Sequence, residues 1–127
     1  MEEMNNAYGC MMESSKIFHN DLGCILYRNT KDYTKFNTHL HRSNEEIFRL
    51  SIDAHRLALL KRYQTLFIPE ELESSHICHH RNCVNTAHIR AETHELNKER
   101  QTCHKNFIKK GEDCSGHGAE HPRCLMY

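Results

Sequence analysis

Cysteine and histidine carry the chemistry in this chain of 127 residues, which holds seven Cys and twelve His. The densest run reads His76-Ile77-Cys78-His79-His80-Arg81-Asn82-Cys83-Val84-Asn85-Thr86-Ala87-His88. Cys78, Cys83 and His88 are separated by four residues each. Three soft ligands on one short loop suit tetrahedral zinc, whose structural sites are closed by four Cys or His ligands. The fourth must come from elsewhere: Cys24, at the start of an expected strand, with Cys10 as the alternative. A second set follows in Cys103, Cys114, His117 and Cys124, where Cys114-Ser-Gly-His117 offers two ligands on a tight turn. His104 and His121 are rivals for its imidazole position.

Two residues outside both sets could do a different chemistry. His76 lies two positions before the first thiolate, so a metal-anchored strand would hold its imidazole rigidly. With an ordinary pKa of about 6.5 it would be mostly neutral at pH 7 and able to accept a proton. Asn97 follows the Cys/His loop on an expected helix, and a carboxamide oxygen is a hard ligand suited to Mg²⁺, which keeps most of its waters.

The elements that must position these groups are modest. Gly23–Tyr27 reads as a strand, residues 28–32 as a turn, and Tyr33–Phe36 as a possible returning strand. Phe48, Leu50 and Ile52 alternate with polar residues, which predicts a strand through Ile52. A helix capped by Asp53 then runs to about Tyr63, with Ala54, Leu57, Ala58 and Leu60 on its apolar face. Ile89–Glu92 predicts a short strand, and Thr93 caps a helix through Gln101. Residues 1–20 show no clear periodicity and read as an N-terminal arm, leaving 21–127 as a single domain.

Composition explains why metal is needed. With 38% hydrophobic and 27% charged residues, so short a chain builds only a thin core. Small chains compensate with disulfides or structural metals. Residues 1–20 carry Glu2, Glu3 and Glu13 and no long apolar run, unlike a secretory signal. No stretch approaches the roughly 20 apolar residues of a membrane span. The expectation is an intracellular chain, nuclear in a eukaryotic host, in which reduced thiols bind zinc. Net charge is zero, but residues 25–65 carry eight Lys/Arg against four acids, compatible with a phosphate-facing surface.

The pattern His76-x-Cys78-x4-Cys83-x4-His88-x8-Asn97-x5-Cys103, then Cys114, His117 and Cys124, resembles the His-Cys box homing endonucleases and their zinc-binding-loop relatives. Gly23-Cys24 and the Ala54-His55-Arg56 segment are also similar to that family. The resemblance implies an α+β fold, a small antiparallel sheet with a ββα-metal nuclease core stapled by two structural zinc sites. It implies DNA as partner, and a homodimer, since cutting both strands takes two active sites. Cys24, Cys78, Cys83 and His88 would hold the first zinc, and Cys103, Cys114, His117 and Cys124 the second. His76 would be the general base, Asn97 the ligand of one catalytic magnesium, and Arg42 or Arg49 the arginine at the scissile phosphate. The implied reaction is phosphodiester hydrolysis to 5′-phosphate and 3′-hydroxyl ends. The competing expectation is a non-catalytic zinc module that binds nucleic acid or protein.

Overall fold

The computed structural model describes residues 1–28, 35–41 and 47–125. Among the described residues three helices, α1 (Glu2–Met12), α2 (Ala54–Tyr63) and α3 (His94–Lys110), accompany six strands. The strands are β1 (Ile17–His19), β2 (Ile25–Tyr27), β3 (Lys35–His41), β4 (Ile47–Asp53), β5 (Leu72–His76) and β6 (Ile89–Thr93). They pair as three separate antiparallel two-stranded sheets, β1–β2, β3–β4 and β5–β6. The expected α+β class is therefore realised as small antiparallel ribbons, none of which is stable alone in water.

The core is built mainly from two helices and the strands around them. Met4, Ala7 and Met11 of α1 meet Leu57, Ala58, Leu59 and Leu60 of α2, with Tyr27, Phe36, Ile68, Val84 and Ile89 around them. Residues 1–12 are thus a packed helix, where the sequence suggested an arm without periodicity. The stripe is narrow, since Met4, Ala7 and Met11 supply an i, i+3, i+7 spacing among polar neighbours. Glu2 and Glu3 in its first turn complement the helix dipole.

Two further expectations change. The partner of β2 is β1, with Ile17 opposite Tyr27, whereas β3 pairs with β4. Tyr33 lies outside the described residues. The helix capped by Thr93 continues past Gln101 to Lys110. Only Arg100 is buried on it, so apolar periodicity could not mark its length. Its ends are set by polar chemistry instead. Thr93 Oγ1 accepts from Leu96 N at 3.3 Å, and Gly111, at φ 70°, closes the last turn on the Phe107 carbonyl. Asp53 does sit at the start of α2, but its carboxylate pairs with Lys35 at 3.2 Å and makes no capping bond.

β5, the following Cys/His loop, β6 and α3 form the ββα unit. A 3₁₀ turn at Thr86–His88 leads into β6. The loop is fastened to β2 through the bridge between Leu26 and Cys83 and the bond from Val84 N to Ile25 O, 2.7 Å.

Candidate functional site

The first metal centre is built where β2, the loop and the 3₁₀ turn meet. Asn20 Oδ1 accepts from Leu22 N at 3.0 Å and Cys24 N at 2.9 Å, and Gly23 takes φ 84°, which aims Cys24 inward. A side chain at Gly23 would be strained by that positive φ, although its Cβ would meet the His88 ring only at ordinary contact distance, 3.7 Å. Cys24, Cys78, Cys83 and His88 are all buried, and their ligand atoms lie within 4.8 Å of one another. His88 Nδ1 is 3.7 Å from Cys24 Sγ and 3.6 Å from Cys83 Sγ. A tetrahedron with the usual Zn–S and Zn–N lengths has S···N edges of about 3.6 Å. The thiols cannot all ionise unaided. A hydrogen bond from Cys78 lowers Cys83 to about 5, and Cys78 itself is pushed up. A divalent cation resolves that conflict by holding every sulfur as thiolate. His80 Nδ1 stands 3.5 Å from Cys24 Sγ, next to the cluster.

The second centre folds the tail onto α3. Cys103, Cys114, His117 and Cys124 likewise bring their ligand atoms within 4.8 Å. His117 Nε2 is 3.3 Å from Cys114 Sγ and 3.2 Å from Cys124 Sγ, while its Nδ1 contacts Glu99 Oε1 at 2.8 Å. A carboxylate on the outer imidazole nitrogen fixes the tautomer of a metal-bound histidine. The alternative ligands lie elsewhere. Cys10 is exposed on α1, His121 contacts Glu92, and His104 stacks on His79 with centroids 4.3 Å apart.

A cleft of about 590 Å³ is lined by both His76 and Asn97. His76 ends β5. Its Nε2 donates to the Cys83 carbonyl at 3.1 Å, because a carbonyl can only accept. That places the lone pair of the neutral ring on Nδ1. Burial, reinforced by His55, Arg81 and His80, lowers the His76 pKa to about 4, well below the ordinary value expected from sequence. His55 approaches edge to face at 6.0 Å.

Asn97 stands in the first turns of α3. Its Nδ2 donates to Glu73 Oε1 at 2.7 Å, which assigns the amide orientation, since a carboxylate accepts only. The carboxamide oxygen is then the atom able to meet a cation. Glu73, on β5, also contacts His94 Nδ1 at 3.2 Å, and the bond from Asn97 holds its carboxyl below the usual range. Sequence reasoning missed Glu73, because an acid on a strand 24 residues upstream carries no spacing signal for an Asn on a helix.

Arg81, Arg100 and Lys105 line the cleft. Arg49 is exposed on β4 opposite His39 and is not among the lining residues. Arg42 lies outside the described residues. Among the described residues no helix is long and apolar enough to cross a membrane.

No curated protein and no solved structure matches the chain. Residues 23–127 match the family described as the zinc-binding loop region of homing endonuclease, a span containing both Cys/His clusters. The chain belongs to that homing-endonuclease zinc-binding family.

Proposed function

We propose that this chain is a magnesium-dependent DNA endonuclease of the homing or mobile-element type, which hydrolyses phosphodiester bonds to 5′-phosphate and 3′-hydroxyl ends. The observation that carries the reading is a half-buried His76, neutral because its pKa is lowered to about 4, with its Nδ1 lone pair free of the Cys83 carbonyl, in the same cleft as Asn97.

His76 Nδ1 takes a proton from the attacking water, and the bond to Cys83 keeps the ring from turning away. The donor set fits one magnesium ion. Asn97 Oδ1 is a single hard protein ligand, leaving room for waters and phosphate oxygens, and Glu73 holds the amide in that orientation. When bound there, the ion supplies positive charge to the scissile phosphate and to the departing 3′ oxygen. Arg81 and Lys105 place further positive charge along the cleft for flanking phosphates. The zinc clusters are four-ligand and closed, so their role is structural. Cutting both strands takes two such clefts, which makes the working species a homodimer on duplex DNA.

Plasmid cleavage by zinc-loaded protein, with and without Mg²⁺, tests this. Linear product ending in 5′-phosphate and dependent on Mg²⁺ is expected. Asn97→Ala weakens cleavage, and raised Mg²⁺ partly restores it. Cleavage indifferent to Mg²⁺ and to Asn97 contradicts the metal assignment. Binding without cleavage favours the non-catalytic zinc module.

A further inference from the structure

Arg100 and Glu92 are each only 1% exposed at the side chain. Two guanidinium nitrogens already satisfy the carboxylate. Nε donates to Oε1 at 2.6 Å and Nη2 to Oε2 at 2.8 Å, a bidentate pair between α3 and β6. The remaining terminal nitrogen does not face water. Nη1 donates to Cys124 Sγ at 3.4 Å, a sulfur of the second metal cluster. His121, three residues before Cys124, reaches the same carboxylate through Nδ1 at 3.1 Å. The preceding helical residue, Glu99, holds the imidazole of that cluster. Neighbouring residues of α3 thus contact two of its four ligands from outside.

Charge gives these contacts a purpose. Three thiolates and one divalent cation leave a cluster with a net charge of −1, and donors to the sulfurs stabilise that excess. Cys114 Sγ receives backbone donors, from Gly116 N at 3.4 Å and Cys124 N at 3.3 Å. Cys124 Sγ receives its cationic donor from Arg100.

We propose that Arg100 is a positioning residue of the second zinc site: held by Glu92, it keeps Cys124 in place as a thiolate ligand and joins β6, α3 and the tail through the metal. The inference rests on the Cys/His cluster, and holds whether or not the chain cleaves DNA.

The test uses full-length protein loaded with zinc, or with ¹¹³Cd for NMR, which gives one resonance per cluster. The second-site resonance is the one lost in Cys114→Ser. Arg100→Met alone would strand a buried carboxylate, so the main variant is Glu92→Gln with Arg100→Met, which removes both buried charges together. It is expected to move only the second-site resonance and to release that metal to a chelator about 10- to 100-fold more readily. Arg100→Lys keeps the charge beside Glu92 but cannot fork to both partners, and should move the same resonance. Glu92→Gln, which retains the donor to Cys124, should move it least. Unmoved resonances with unchanged release in both Arg100 variants would overturn the proposal and leave Arg100 as half of an ordinary buried ion pair.

Discussion

The two metal centres have the same ligand set, three cysteines and one histidine, but differ in what surrounds them. The first is held by backbone. Val84 bonds to Ile25, Ile77 N to the His88 carbonyl at 2.9 Å, and Leu125 N to the Ile77 carbonyl at 2.7 Å. Its cysteines pack with Leu26 and Leu125. The second adds charged side chains to the backbone donors at Cys114. Glu99 reaches His117, Arg100 reaches Cys124, and Arg123 Nε donates to the Cys114 carbonyl at 3.0 Å. The first centre therefore organises the chain's interior, including the Cys83 carbonyl that orients His76. The second attaches a tail that lacks an apolar core of its own.

Losing the first centre should have the largest consequence. Cys83→Ser opens the cluster where β2 and the loop are joined. Apparent zinc-binding free energies of about 10–16 kcal/mol rival the whole stability of a small domain. The variant should lose its helical circular dichroism and its metal together. A folded Cys83→Ser protein that keeps one zinc would show that backbone and apolar contacts suffice without this centre.

Losing the second centre should cost less. Cys114→Ser should retain one zinc per chain and the helical core, while residues beyond Gly111 become open to proteolysis. Elemental analysis with limited proteolysis reads both effects. Loss of both metals at once would erase the distinction between the centres.

The contrast also explains what was legible in the sequence. Cys78, Cys83 and His88 could be read directly, because Cys and His in close array have few other uses in a short chain, whereas Cys24 over Cys10 and His117 over His104 or His121 are choices that only the assembled clusters make. Asn97 and His76 stand out by their offsets from those ligands, and both line the cleft. Helix α1 could not, since Met4, Ala7 and Met11 bury only a thin stripe of a polar segment. The reach of α3 was hidden for a similar reason, although Gly111 after Lys109 and Lys110 was a usable stop signal. Glu73 with Asn97, and Glu92 with Arg100, are contacts between a strand and a helix, and only the assembled fold brings such pairs together.

A smaller effect is expected at Glu73. Glu73→Ala removes the carboxylate that orients the Asn97 amide. The Mg²⁺ concentration for half-maximal cleavage should rise roughly tenfold, the lower end of what outer-shell partners contribute, with little change at saturating metal. Glu73→Gln can still accept from Nδ2 and should recover part of the loss. An unchanged metal requirement in Glu73→Ala would separate Glu73 from the metal site.

The account turns on His76, and cleavage by His76→Ala at saturating Mg²⁺ tests it most directly. The rate should fall by about 10² to 10⁴, with two zincs per chain and DNA binding retained, and added metal should not restore it. The wild-type pH profile belongs to the same measurement. A base lowered to about 4 stays neutral from pH 8 to pH 6, so proton acceptance by His76 should not limit the rate in that range. An ordinary imidazole would have lost about three-quarters of its base form by pH 6. Near-normal cleavage by His76→Ala with its zinc content intact would contradict the account and move the active site elsewhere.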